Sequence, residues 1–115
     1  MDNNTYFIEK SILASVLNFE KNIADFEITP DFFEDNFHKK LIIGCFRLKE
    51  LNEPIDFELL RNKFLKANKW TIQEDAKLID IMTNTIPFGS DELFSAYLKV
   101  LKNNYYDKLA RGLVN

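Results

Sequence analysis

His38 and Cys45 are the side chains of this sequence whose types most readily support metal binding or nucleophilic catalysis. On one helix they would share a face, but they would stand about 10 Å apart along its axis. That distance is too long for the hydrogen bond of a Cys–His nucleophile pair. A structural zinc site takes four ligands, and the sequence has one histidine and one cysteine. We therefore interpret Cys45 as a core residue and predict no metal site.

Phosphate-binding loops and acid–base pairs are also missing from the sequence pattern. The three glycines, Gly44, Gly89 and Gly112, are too scattered for G-x-x-x-x-G-K-[ST] or G-x-G-x-x-G. Among the carboxylates, Glu9 is singled out because it falls inside an apolar helix face, where a charge needs partners. It either accepts N–H groups in the first turn of its own helix or pairs with a lysine or arginine elsewhere. Neither role is catalytic, so we predict a chain that is not an enzyme and that has no catalytic or cofactor-binding residue.

A cluster of basic residues, Arg61, Lys63, Lys66 and Lys69, suggests a second possibility, contact with the phosphates of single-stranded DNA. The alternative is an ordinary solvated helix face. A net charge of −3 and a pI near 5.2 favour the solvated face, because nucleic-acid-binding domains are usually basic. We expect little direct nucleic-acid binding.

The length and composition predict one globular domain. A chain of 115 residues with 46% hydrophobic residues can bury a core without disulfides or metals. The single cysteine excludes an internal disulfide and fits a reducing compartment. No run approaches the roughly 18 apolar residues of a membrane span, and the polar start MDNNTYF does not resemble a signal peptide. These features predict a cytoplasmic protein with no membrane partner.

The stretch from Phe37 to Phe57 organises the predicted fold. A helix from about His38 to Leu51 is apolar nearly all round, which predicts a buried position. Pro54 ends it, since the residue before proline disfavours the helical conformation. Asp56 is predicted to cap a following helix that runs to about Ala67. Pro54 and Asp56 are thus assigned structural roles, as is Glu9.

Four further segments carry helix signals. A first helix of about Tyr6–Phe19 has a broad apolar face, and Glu20–Glu27 could add one turn that carries Ile23 and Phe26 into the core. Thr29-Pro30-Asp31 is typical of a helix start. Thr71 and Glu74 form a capping box before a helix of about Ile72–Thr83. Its predicted inward residues are Ile72, Ala76, Ile79 and Met82.

The last helix is predicted from about Asp91, after the cap Ser90, to at least Arg111. Its apolar stripe drifts around the axis, so its early part can pack on the domain while its later part projects past it. Exposed apolar and aromatic groups often mark a contact with another chain. The candidate interface residues are Leu98, Leu101, Tyr105, Tyr106, Leu109 and Leu113.

Together these segments predict an all-α chain, a compact bundle of about six helices. We expect residues 1–90 to form a helical head and residues 91–115 to form the first arm of a truncated helical hairpin, as in a piece of a longer protein.

Six short motifs, in order, resemble the N-terminal domain of the DnaB-type bacterial replicative helicase along nearly the whole chain. The family patterns are E-x-S-V-L-G, L-x-P-x-D-F-Y, H-R-x-I-F, P-I-D, L-x-x-L-x-N-x-T-P and Y-A-x-I-V-x-E. The matching segments are Ile8–Ala14, Ile28–Phe33, His38–Ile42, Pro54–Asp56, Leu78–Pro87 and Tyr97–Lys102.

The resemblance implies a scaffold and interaction domain. In that family, hairpins pair between subunits and build a trimer-of-dimers collar on the hexamer, where primase docks; a helicase loader is a further candidate partner. ATP and magnesium would belong to a separate C-terminal ATPase, and none of its motifs is present here. No primase-contacting residue follows from the motifs. The alternative is the helicase-binding domain of a primase, which has a similar helical fold but is less well matched by the P-I-D turn.

Overall fold

A computed structural model describes residues 3–19, 26–67 and 69–112. Helices dominate these residues, and no strand occurs among them. The all-α prediction is therefore confirmed, with five α-helices in the described chain where about six were expected. Their bounds are α1 Asn3–Phe19, α2 Asn36–Glu50, α3 Phe57–Leu60, α4 Ile72–Asn84 and α5 Asp91–Ala110, with a 3-10 turn at Pro30–Phe32 and a π segment at Arg61–Leu65.

α1 lies at the centre of the bundle and contacts α2, α4 and α5. Its described part runs from Asn3 to Phe19 and includes the whole predicted helix of Tyr6–Phe19. The predicted inward residues are all buried, namely Ile8, Ile12, Leu13, Val16 and Leu17. A broad apolar face was therefore a reliable guide to the orientation of this helix.

The 3-10 turn forms where the Thr29-Pro30-Asp31 signal predicted a helix start. The Thr29 hydroxyl accepts the Asp31 N–H at 3.5 Å, and Phe32 and Phe33 are buried behind the turn. Phe26 packs edge-on against Phe94 with ring centroids 4.6 Å apart, which confirms its place at the core. The predicted turn before it, with Ile23, lies outside the described residues.

α2 begins two residues earlier than predicted because Asp35 caps it, accepting the His38 N–H at 2.9 Å. It ends at the predicted break. Asn52 takes a left-handed conformation (φ 57°), and the Glu53 N–H reaches back to the Leu48 carbonyl at 2.9 Å, as in a Schellman motif. The helix is not buried all round, however, because Ile43 is 52% exposed.

Asp56 caps the next helix as predicted, its carboxylate accepting the N–H groups of Glu58 and Leu59 at 3.0 and 3.1 Å. The single helix expected up to Ala67 is wrong in detail: α3 passes at Arg61 into the π segment. A π segment widens the turn and shifts the side chains that follow it. Phe64 thereby lies against Gly44, where an added Cβ would stand 3.1 Å from its ring.

α4 has the predicted capping box, in which Thr71 and Glu74 each accept the other's backbone N–H. Its predicted inward face is wrong for Ile72, Ala76 and Ile79, which are exposed, and correct for Met82, which packs on the core. Ile72 is 80% exposed and Ile79 is 39% exposed, whereas Leu78 and Ile81 are fully buried. Ion pairs connect this helix to its neighbours, namely Arg61–Asp75, Lys10–Asp80, Lys40–Glu74 and Lys77–Asp35.

In the part of the chain that the structure describes, no helix combines the length and the apolar character needed to span a bilayer.

Candidate functional site

α5 carries the candidate interface. The Ser90 hydroxyl accepts the Leu93 N–H at 3.2 Å, and Asp91 and Glu92 in the first turn complement the helix dipole. The helix then runs for 20 residues. The predicted cap is confirmed, and the helix ends at Ala110, one residue short of the predicted minimum of Arg111.

The first half of α5 belongs to the core of the head. Phe94, Leu98 and Leu101 are buried, and α5 contacts α1. The interface assignment of Leu98 and Leu101 therefore needs correction, because their side chains are already covered by this chain. The division into a head of residues 1–90 and a hairpin arm of residues 91–115 stays a prediction.

The second half of α5 does not project past the head as expected. Tyr105 is half-buried and packs on Phe32, with ring centroids 5.8 Å apart. Lys108 forms an ion pair with Glu34. At about 100° per residue, Tyr105 continues the stripe of Leu98 and Leu101, so the apolar stripe drifts less than predicted.

Two sets of exposed apolar side chains remain on α5. Tyr106 and Leu109 are 50% and 47% exposed and lie on one flank of the buried stripe. The opposite flank carries Leu93, Tyr97 and Val100, all exposed, with Tyr97 stacked on Phe88 at 4.5 Å. Leu113 lies outside the described residues. The candidate interface is therefore reduced to Tyr106 and Leu109. The opposite flank is a second exposed surface, although the early part of α5 was predicted to pack on the domain.

Glu9 is a polar residue that is fully buried. Its carboxylate accepts the backbone N–H groups of Glu34 at 2.7 Å and Asp35 at 3.3 Å. His38 Nδ1 lies within hydrogen-bond distance of Glu9 Oε1, at 2.7 Å. Glu9 and His38 are both fully buried. Glu9 thus ties α1 to the start of α2.

Neither of the two predicted sets of partners for the Glu9 carboxylate is correct. The carboxylate accepts N–H groups that precede α2, not those of its own helix, and the side chain beside it is a histidine, not a lysine or arginine. His38 was missed because sequence reasoning considered it only as a ligand or base. The available signal was that Glu9 and His38 are each a polar residue on an otherwise apolar face.

Asp35 extends this buried cluster to α4. Its carboxylate caps α2 and also lies 3.5 Å from Lys77 Nζ. Burial would raise the pKa of Asp35, but the His38 N–H, the His38 ring and the Lys77 ammonium outweigh it and hold the pKa below 3.8. The charged carboxylate is therefore the favoured form at this junction.

Cys45 is fully buried, as predicted for a core residue, and burial raises the pKa of its thiol to about 12. A thiol in this environment stays protonated and is a poor nucleophile. Within residues 3–19, 26–67 and 69–112, no group of three or more His, Cys, Asp or Glu residues is arranged to hold a metal ion.

The basic cluster is divided by ion pairs. Arg61 holds Asp75 through two hydrogen bonds of 2.8 and 3.0 Å, from Nε and from a terminal nitrogen. This contact raises the pKa of Arg61. Lys63 lies 3.4 Å from Glu53. Lys66 and Lys69 alone remain exposed without a described acidic neighbour, which is little for a phosphate-binding surface.

Comparison with known proteins gives one result. Residues 1–103 match the family described as "DnaB-like helicase N terminal domain", which spans α1 to the middle of α5 and includes Glu9, Pro54 and Asp56. Curated proteins and solved structures give no match.

Proposed function

The chain belongs to the DnaB-like helicase N-terminal domain family, which makes it part of a replicative helicase, and from this premise we propose that it is a scaffold and interaction domain of the hexamer. In this role it is not an enzyme and binds little nucleic acid. ATP and magnesium are held elsewhere, by a separate ATPase domain. The setting is DNA replication in the bacterial cytoplasm.

One observation supports an assembly role above the others: the exposed flank of α5 formed by Tyr106 and Leu109. The helix is held firmly, since its neighbouring stripe is buried and Lys108 pairs with Glu34. A rigid helix with half-exposed aromatic and aliphatic side chains can receive a second helix without a large ordering cost. We propose that another helicase subunit packs there, as in a trimer-of-dimers collar.

Self-association tests this surface. We expect the chain to associate at high concentration and Tyr106→Ala or Leu109→Ala to raise the dissociation constant about tenfold, because central aromatic and aliphatic anchors dominate such contacts. Sedimentation equilibrium gives the constants. Tyr105→Ala is less informative because this ring also packs on Phe32.

Ile72→Ala is the matched control, since Ile72 is also exposed and apolar but lies on α4. It should associate like the unaltered chain. Equal dissociation constants for all variants would refute the assigned flank.

Primase docking is the second part of the proposal. An NMR titration with the C-terminal domain of the cognate primase should shift amide signals on one continuous surface, and those signals would identify the contact residues. The absence of shifts at millimolar primase domain would argue against docking to the isolated chain. A helicase loader can be tested in the same way.

A further inference from the structure

A pocket of about 310 Å³ opens between α2 and the segment that follows α3. Its wall is apolar and its rim is basic. The wall consists of Ile43, Gly44, Phe64 and Trp70, and the rim of Lys40, Arg47 and Lys69. These residues come from α2, the π segment and the loop before α4, so the pocket shares no side chain with the candidate interface on α5.

The wall of this pocket is preformed. Trp70 stacks on Phe64 at 5.2 Å and meets Phe37 edge-on at 5.3 Å. The Lys69 and Trp70 N–H groups both donate to the Phe64 carbonyl, at 2.8 and 3.2 Å. Gly44 lets the Phe64 ring lie on bare backbone. A pocket built on packed rings and backbone hydrogen bonds loses little conformational entropy when it is filled.

Ile43 shows what the pocket would receive. Its side chain is 52% exposed at the mouth, beside the aromatic wall. Apolar surface of this kind gains free energy when a bulky apolar side chain covers it. One leucine- or phenylalanine-sized group is the natural occupant.

The basic residues at the rim favour a partner in which acidic residues flank the apolar side chain. Arg47 has an exposed contact with Glu50 at 3.3 Å, and Lys40 pairs with Glu74 at 2.9 Å while remaining half exposed. Such surface pairs are weak and can exchange partners. No acidic group faces Lys69 among the described residues. This basic rim on a chain of net charge −3 favours a partner that carries carboxylates.

A nucleic acid fits the pocket less well. Base stacking needs an open aromatic face, but the faces of Phe64 and Trp70 are largely used on each other. Trp70 is buried, so only the edge of the aromatic wall is available.

We propose that this pocket anchors a short acidic segment of a partner protein by one bulky apolar side chain. The inference goes beyond the proposed function: it holds whether or not α5 mediates self-association, and each can fail alone.

The test uses a capped octapeptide with Phe-Leu at its centre and three acidic residues on each side. Trp70 is the only tryptophan in the sequence, so its fluorescence reports on the pocket directly. We expect a saturable change, with NMR shifts at Ile43, Gly44 and the Trp70 indole. Peptides with Ala-Ala at the centre, or with lysine in place of the acidic residues, should not bind. No saturable change up to about 2 mM would overturn the proposal.

Two matched pairs of variants test whether the peptide binds in this pocket. Arg47→Glu should weaken the peptide about fivefold or more, whereas Arg111→Glu should not; both arginines are exposed and lie 3.3 Å from a carboxylate on their own helix. Ile43→Ser should weaken binding similarly, whereas Ile79→Ser on α4 should not. Circular dichroism checks that each variant folds.

Three results would contradict the assignment. Equal affinity of the Arg47→Glu and Arg111→Glu variants for the peptide would show that the basic rim does not contribute to binding. Competition by a single-stranded oligothymidylate would point to a nucleic acid instead. A concentration-dependent Trp70 signal without peptide would point to a second copy of this chain.

Discussion

α1 and α4 lie against the same core, but different forces hold them there. α1 buries a broad apolar face from Ile8 to Leu17. α4 fully buries only Leu78 and Ile81 among its apolar residues and reaches its neighbours through charged side chains. Those contacts are Arg61–Asp75, Lys10–Asp80, Lys40–Glu74 and Lys77–Asp35.

The difference explains why one helix was oriented correctly from sequence and the other was not. Burial of apolar area is non-directional, so it does not depend on which particular side chain lies opposite. The periodicity of apolar residues along a helix is therefore enough to indicate its inward face. An ion pair depends on where a partner from another segment stands, and no periodicity shows that. On α4 Asp75 is buried and hydrogen-bonded to Arg61, whereas Ile72, in the first turn of the helix, is exposed.

The strongest test of the α1 side is Glu9→Ala. It leaves two backbone N–H groups and the His38 ring buried without their acceptor. Each buried donor left without its acceptor costs about 1–3 kcal/mol, and the shortened side chain leaves a cavity, so urea denaturation should show a loss of about 3–5 kcal/mol in the free energy of unfolding. Glu50→Ala, which removes an exposed carboxylate, should change it by less than about 0.5 kcal/mol. Similar losses in both variants would contradict the structural role of Glu9.

The orientation of α4 can be tested by two substitutions whose expected effects on the free energy of unfolding are smaller. Leu78→Ala should lower the free energy of unfolding by about 3 kcal/mol, because it opens a cavity beneath the helix. Ile72→Ala should lower it by less than about 0.5 kcal/mol, since this side chain is exposed. Thermal or urea denaturation measures both. The reverse ranking would restore the inward face that the sequence pattern predicted.

The smallest expected effect is that of low pH. As pH falls, α4 should lose protection from amide hydrogen exchange before α1 does. Lys10 and Asn84 lower the pKa of Asp80. Burial opposes the same shift in Glu74, but Lys40 and Thr71 prevail and lower its pKa. A carboxylate with a lowered pKa stabilises the fold above its unfolded pKa, and this stability is lost as pH falls through the folded value. Amide hydrogen exchange should therefore show loss of protection in α4 below about pH 4.5.

Two comparisons control the acid experiment. Asp80→Asn and Glu74→Gln remove the titrating groups and should reduce the pH dependence of protection in α4. About 0.5 M NaCl at neutral pH should weaken the same exposed contacts by screening. Simultaneous loss of protection in α1 and α4 would show that the ion pairs do not set the stability of α4.

The helices were largely predictable because their signals are local. Thr29, Asp56, Thr71 and Ser90 all cap where expected, since a cap needs only the side chain and the next few N–H groups. The candidate interface was less predictable. Its helix was correct, but Leu98 and Leu101 face the core, and a stripe cannot show which of its flanks the rest of the chain will cover.

The sequence alone therefore determined the helical class, the caps at Thr29, Asp56, Thr71 and Ser90, the apolar face of α1 and, through its motifs, the family. Only the tertiary structure decided the partners of Glu9, the inward face of α4, the exposed flanks of α5 and the pocket beside Trp70. The physical reason is distance along the chain. Caps and apolar periodicity act within a few residues, whereas a buried ion pair or a pocket exists only once distant segments meet.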